Sequence, residues 1–497
     1  MLPLSGTNIS STGFTSDMRF KNTFGVSERA LAAFKGGSAW ALMEKVKLRP
    51  QFDQESEPDG IINLSGASNI LMKDWMDRFI EENTHKLPLQ DMLSYGAVSG
   101  GPGLLKAMAA FFNRHFRPSS LLTKEHIIAA NGVTSLIDLI AWTLCNPGEA
   151  IIYPTPTFYM LDYDTTVRSD VKAVPVSCSH IRDQFVSSSA DALVAALEAA
   201  VDVQAKQGVR CRVLFICNPS NPQGRCYSQK TLAALARFCT RRDMHLVADE
   251  IYAMSQFRLP GHSAAELDEF SSVLSIPDDG KLTTHANAHC LYGMSKDFNM
   301  GGLRMGFLVT RNKEVLAAAR RVTWFTWITT FSASFVQNFV AQEEKLHEYL
   351  TLLRTRLAGA YEETQSALVG YGIPFMKANA GLFIFIDLSR WIGCFGGEDS
   401  NSSLTTGSSS GSSSGNSPSH EMQLCEWLID HGVFINAGEF AEFDQPGHFR
   451  LVFTEYSTDV VILAIRRIRK ALDKLERENE IRLTKTKNFS YCIHLDT

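Results

Sequence analysis

The chain has 497 residues, 45% of them apolar and 20% charged, with a formal net charge of −5. That length carries a large core and two domains, and the charge balance excludes a basic nucleic-acid binder and a polybasic membrane-surface protein. No apolar run is long enough to span a bilayer and no secretory signal is read, while ten irregularly spaced cysteines without a paired C-x-x-C point to reduced, buried thiols in a cytoplasmic protein rather than to disulfides or a metal site.

Residues 1–60 are weakly patterned, with one short helix predicted over 31–46 and an acidic turn over 55–60. A short strand over 61–64 leads into Ser65-Gly-Ala-Ser-Asn69, and helical spacing follows over 71–80. The glycine-rich loop over 94–101 precedes a helix over 104–116. It is a weak phosphate signal, because no convincing strand leads into it. A strand over 126–130 runs into Asn131-Gly-Val-Thr-Ser135 and then a helix over 136–144. That turn is either an ordinary strand–helix connection or an anion site made of free backbone N–H groups and the helix dipole, with Thr134 adding a hydroxyl.

Strands and helices then alternate, which predicts a largely parallel sheet with helices on both faces. The strand over 150–153 ends in Pro154-Thr-Pro-Thr-Phe158, and the strand over 213–217 ends in Asn218-Pro-Ser-Asn-Pro-Gln-Gly224. A helix over 232–241 precedes a strand over 245–248 that ends in Asp249-Glu-Ile-Tyr252. The strand around 290–292 ends in a loop carrying Lys296 and Arg304, and another strand starts at Met305. Ligands of open α/β sheets bind at such carboxyl ends of strands. A lysine there is either a solvated surface group or an amine held for covalent work. Each strand end carries at least one side chain of functional type.

Helical spacing over 331–368 reads as a bridge to a second domain, followed by a strand over 381–387. Residues 394–420 are low in complexity and rich in serine and glycine, and are expected to form a disordered surface insertion. A helix over 422–431, strands around Phe434 and Leu451, and a terminal helix over 458–478 follow, leaving 481–497 as a tail. The terminal helix carries Val461, Ile465, Ile468 and Leu472 on one face.

Taken together, the strand-end residues suit pyridoxal 5'-phosphate. Its ring nitrogen needs a carboxylate, because a protonated ring is the better electron sink, and Asp249 qualifies. As a lone observation Asp249 reads better as a helix cap. Tyr252 and Asn221 can donate to the phenolic oxygen, Phe158 can pack on the ring face, and Val133, Thr134 and Arg304 can hold the phosphate.

The motif Gly-Met-Ser-Lys-x7-Arg-Met-Gly over 293–306, with Asn218-Pro-Ser-Asn-Pro-Gln-Gly and Asp249-Glu-Ile-Tyr252, resembles the fold-type I, class I/II pyridoxal-phosphate aminotransferases over most of 60–475. Within them, Pro154-Thr-Pro, Asn379-Ala-Gly-Leu-Phe and Pro446-Gly-His-Phe-Arg450 are similar to blocks of the 1-aminocyclopropane-1-carboxylate synthase group. The resemblance implies an α/β fold with residues 1–85 as an N-terminal arm and part of a small domain, 86–330 as a large cofactor-binding domain and 331–497 as the rest of the small domain. It implies that Lys296 holds the cofactor as a Schiff base and then moves the proton. Arg450 would clamp the substrate α-carboxylate, a reading that competes with a surface ion pair. Asn69 would lie near that carboxylate, and Tyr95 would reach the phosphate of a neighbouring subunit's cofactor, so that a homodimer shares its active sites. Amino acids and keto acids are then the substrates.

Two departures matter. Gly293 stands where relatives often carry a phosphate-binding serine. Ser68 stands where the cyclopropane-forming synthases carry a glutamate of the substrate pocket, and that loss of charge argues against the S-adenosylmethionine sulfonium. Ser135, in place of a glycine at the phosphate turn, is a milder change. The expected activity is therefore an aminotransferase acting on an α-amino acid or a derived intermediate. The alternatives are a lyase, by C–S cleavage or cyclopropane-forming elimination, and a catalytically silent binding fold. The serine-rich insertion and the tail resemble fungal secondary-metabolism relatives, an analogy that points to a biosynthetic cluster.

Overall fold

The computed structural model describes residues 25, 27–33, 38–88, 90–259, 267–277, 286–395 and 418–493. Most of the serine- and glycine-rich insertion, 396–417, lies outside them. The chain divides into two units, Met1–Gly60 and Ile61–Thr497. In the first, the predicted helix is two, Glu28–Ala33 and Ser38–Lys47, with 34–37 outside the described residues. The acidic turn closes on Asp53, whose carboxylate accepts the N–H groups of Glu55 and Ser56 and the Ser56 hydroxyl.

The second unit opens with β1 (Ile62–Asn63) and then builds a seven-stranded sheet. Its strands are β2 (Ile127–Ala130), β3 (Ala150–Thr155), β4 (Lys172–Ser177), β5 (Cys211–Cys217), β6 (His245–Asp249), β7 (Ala288–Gly293) and β8 (Gly306–Thr310), in the order β2-β8-β7-β6-β5-β3-β4. Every strand but the edge strand β4 is buried almost throughout, as a sheet covered on both faces requires. The pairs from β4 to β7 are parallel, whereas β8 runs antiparallel to both β7 and β2. The loop from β7 to β8 carries no α-helix, and the two strands it joins are antiparallel neighbours. That single reversal brings the end of β7, the start of β8 and the end of β2 together: Gly306 pairs with Gly293 on one side and Ala130 on the other.

A four-stranded antiparallel sheet follows from β9 (Phe375–Met376), β10 (Phe383–Asp387), β12 (Asn436–Ala437) and β13 (His448–Val452), while β11 (Val433–Phe434) pairs with β1. The helix expected over 331–368 is interrupted. It forms as Thr330–Ala341 and Glu343–Gly370, with Gln342 held outside the helical region while its amide donates to Asn83 Oδ1 at 3.0 Å. Glu343 and Glu344 then start a new helix, where carboxylates suit the positive end of the dipole.

The last helix runs Thr458–Ile493, past the expected end at 478 and through most of the predicted tail. The segment from 476 to 490 has no glycine or proline to stop it. Val461, Ile465, Ile468 and Leu472 are all fully buried, as their spacing predicts. No helix of the described residues is long and apolar enough to cross a membrane, and Cys145, Cys211, Cys217 and Cys239 are buried free thiols.

Candidate active site

The positioning starts at Gly132. Its φ of +111° is open to glycine and costly for other residues, and it turns the chain from β2 directly into the helix Val133–Leu144. The helix therefore begins three residues before the expected 136, which puts Val133 and Thr134 in its first turn, where backbone N–H groups have no partner within the helix. The Arg304 guanidinium packs against Gly132, in the space a side chain there would need. Arg304 itself sits at φ +50° and donates to the Gly301 carbonyl at 2.9 Å. Gly306 admits no side chain either, since a Cβ would lie 2.7 Å from the Gly132 carbonyl carbon. A Cβ on Gly293 would press on Val133 Cγ2 at 2.9 Å, so Val133 already fills the place next to the relatives' serine position.

These elements enclose a cavity of about 210 Å³ at the carboxyl ends of β5, β6 and β7. Val133, Thr134, Phe158, Asn221, Asp249, Tyr252, Lys296 and Arg450 all line it. Sequence reasoning gave no role to Ser65, Gly66, Ala67, Ile137, Tyr159, Met160, Cys217 and Ile251, which complete the wall. Four predicted residues do not line it: Arg304, which packs against Gly132, and Tyr95, Ser68 and Asn69. Tyr95 is 93% exposed and stacks on Trp327 at 5.4 Å. Ser68 sits just beyond Ala67, its N–H donating to Glu455 Oε2 at 2.9 Å. Asn69 is fully buried with neither amide atom partnered, its backbone N–H donating to Asn299 Oδ1 at 3.3 Å. A larger cleft of about 1140 Å³, walled by Arg114, Arg354 and Glu362 among others, holds none of the predicted residues.

Lys296 donates to the Ala67 carbonyl at 3.2 Å. Burial and the Arg450 guanidinium push its amine down to about 8, against the pull of Glu455 and Asp249. Asp249 is pushed up to about 7 by burial, partly offset by the Ile251 N–H at 3.2 Å and by Lys296. A buried carboxylate so raised is short of a cationic partner. Arg450 is buried too, and burial lowers its pKa from the usual guanidinium range. It donates to Asn221 Oδ1 at 3.0 Å, to the Gly66 carbonyl at 3.1 Å and to the Ser65 carbonyl, while its Nε has no partner. Its guanidinium also lies 5.5 Å over the Phe383 ring.

Asp297, next to Lys296, is a residue that sequence reasoning missed. Fully buried, its carboxylate accepts the Met254 N–H at 2.9 Å, the Tyr292 hydroxyl at 2.9 Å and the Ser255 hydroxyl, and its carbonyl accepts Tyr349 OH at 3.0 Å. Those bonds anchor the lysine loop to β7 and to the segment after β6. The available signal was a carboxylate directly after the lysine in a glycine-bounded loop.

Comparison with known proteins agrees with this geometry. The family model for aminotransferase class I and II matches residues 61–468. The chain is 28% identical over 459 residues to 1-aminocyclopropane-1-carboxylate synthase 4 of Oryza sativa subsp. japonica, covering 89% of this chain and 88% of that protein. It is 30% identical over 428 residues to synthase 5 of the same plant, covering 84% and 74%. Among solved structures, aspartate aminotransferase from Thermus thermophilus with maleate superposes with a TM-score of 0.66 at 19% identity, covering 90% of this chain and 99% of that one. At that identity the likeness speaks for the fold alone.

Proposed function

The chain belongs to the aminotransferase class I and II family, a pyridoxal-phosphate-dependent group of fold-type I enzymes, and from that premise we propose that it is an aminotransferase for an α-amino acid or an intermediate derived from one. The observation that carries the reading is one cavity lined by a lysine with a lowered pKa, a buried carboxylate and a buried arginine. The residues present fit the cofactor. Asp249 lacks the cation that a protonated ring nitrogen offers. The Val133 and Thr134 N–H groups and Arg304 would hold the phosphate. Phe158 would take the ring face, and Tyr252 and Asn221 would donate to the phenolic oxygen. Pyridoxal phosphate, when bound, supplies an electron sink for negative charge at the substrate α-carbon.

This chain's own residues do the rest. Arg450 holds the α-carboxylate through its planar fork, which fixes the α-carbon beside Lys296. Lys296, with its amine near 8, takes the α-proton and returns it elsewhere. The second reading is a lyase, favoured by the names of the two plant relatives. Both outcomes need the same proton removed. One titration separates them. An amino acid that bleaches the aldehyde-form cofactor absorbance, restored by a keto acid, establishes transamination. Keto acid or thiol released with no acceptor present establishes elimination. Protein that takes up no cofactor overturns both.

Domain limits follow the two sheets. We read 86–330 as the large domain, because all seven strands of its sheet fall within it, and 331–497 as most of the small one, which β1 joins through β11. A homodimer is part of the same proposal. Leu93, Tyr95, Trp324 and Phe325 are 93%, 93%, 62% and 76% exposed, an apolar cluster of the kind that covers itself with a partner. Tyr95 does not line the candidate cavity of its own chain and can serve a neighbour's. Light scattering should give twice the chain mass for the wild type, and Phe325→Glu should shift it toward the monomer. A monomeric wild type overturns the shared site.

A further inference from the structure

The larger cleft, about 1140 Å³, backs onto the lysine loop. Ala253 and Met254 line it, and they directly follow Tyr252 of the first cavity. The Met254 N–H is the one that donates to Asp297 at 2.9 Å. Two helices supply much of the rest. Arg114, His115 and Arg117 come from the end of the helix Pro102–His115 and the turn after it, and His347, Arg354 and Glu362 from the helix Glu343–Gly370.

Positive groups crowd this wall. Burial pushes His115 down to about 4, and Arg354, Arg114 and His347 push the same way against Glu343. Burial lowers the Arg354 pKa too, with Asp297 opposing the fall and Arg117 adding to it. The nearby carboxylates are mostly taken: Glu343 holds Arg114 at 2.7 Å, and Glu269 pairs with Arg258. The side chains of Arg117 and Arg354 form no hydrogen bond or ion pair with the described residues. Glu362 stands eight residues beyond Arg354 on the same helix, ~12 Å along its axis, too far to neutralise it. A concave wall with charges of one sign concentrates anions from solution.

We propose that this cleft is a second ligand site, which takes the phosphate group of a small molecule between Arg117 and Arg354. Each planar guanidinium meets two phosphate oxygens at once, and a dianion matches the two cations that lack a partner. The site goes beyond the reaction at the first cavity and does not depend on which reaction that is. It adjoins it through Arg354: burial raises Asp297 to about 7, and Arg354 is among the groups that draw it back. An anion on Arg354 therefore acts one residue from Lys296.

The test is a calorimetric titration of enzyme whose cofactor has been fixed to Lys296 with borohydride, so that the cofactor's own phosphate place is filled. The probes are inorganic phosphate, pyrophosphate and AMP, at constant ionic strength set with chloride. Wild type should bind at least one of them saturably, one per chain. Arg117→Gln and Arg354→Gln should each weaken that probe at least ~10-fold, the lower end for a hydrogen bond to a charged group. Lys172→Gln removes an equal charge from the exposed edge of β4 and should leave binding unchanged. Deuterium exchange at the imidazole C2, read by mass spectrometry, should show the His115 pKa rising when the probe binds, and Arg354→Gln should abolish that rise. AMP binding tighter than phosphate means that the phosphate arrives on a carrier that also reaches the half-buried Phe270 of the wall, and the reverse order means a free anion; both support the site. No saturable binding to wild type overturns it, as does equal weakening by all three variants or a His115 pKa that ignores the probe. If the protein takes up no cofactor the proposed function falls, and the same titration on the empty Arg304→Gln chain, with the cofactor's phosphate place disabled, decides this site by itself.

Discussion

Replacing Lys296 with alanine should leave a folded protein with turnover reduced at least ~10⁴-fold, the upper end of what a positioned acid–base group contributes. The lysine is in contact with Ala67 and the loop behind it is pinned by Asp297, so the backbone has little reason to move when the side chain is cut. What disappears is the only lysine amine lining the cavity, and with it the covalent anchorage of the cofactor. Reducing the loaded wild type with borohydride should fix the cofactor to a peptide containing Lys296, and the variant should give no such peptide. A small primary amine added to the variant should recover part of the rate. The pH dependence has a definite sign. With its amine held near 8, Lys296 is mostly protonated at pH 7 and mostly neutral at pH 9, so cofactor uptake by the empty enzyme should accelerate between those values and then level off. A variant with near wild-type turnover, or uptake that slows as pH rises, removes Lys296 from the centre of the chemistry.

How much of this was legible in the chain depends on whether a residue's role is local. Lys296 and Arg304 sit in one loop, and their spacing is set by the path from β7 to β8, so a single motif carries both. Asp249, Tyr252, Asn221 and Phe158 were readable because each follows an apolar run that had to be a strand. The reversal of β8 was not readable, because hydrophobic patterning shows that a strand is buried and says nothing of its direction. Yet that reversal is what sets Gly132, Gly293 and Gly306 side by side and brings Arg304 to the helix N-terminus. The break at Gln342 was hidden because glutamine is a good helix former, and its partner, Asn83, lies 259 residues away.

Arg450→Leu should lower kcat/KM for amino acids by about 3 kcal/mol, on the order of 150-fold, within the range for removing one member of a buried, hydrogen-bonded charge contact. Most of the loss should fall on KM if the clamp holds substrate and transition state alike, and on kcat if it mainly aligns the α-carbon with Lys296. Arg450→Lys should recover only part, because an ammonium keeps the charge and loses the planar fork. The substitution has a structural cost as well. Asn221 Oδ1 and the carbonyls of Ser65 and Gly66 lose their donor, so the melting temperature should drop even without substrate. A substrate comparison separates the two effects. An amine that lacks the α-carboxylate gives Arg450 nothing to hold, so wild type and Arg450→Leu should process it at the same low rate while differing widely on the parent amino acid. If the variant is equally impaired on both, Arg450 serves the loop over 65–68 and the carboxylate is held elsewhere on the cavity wall.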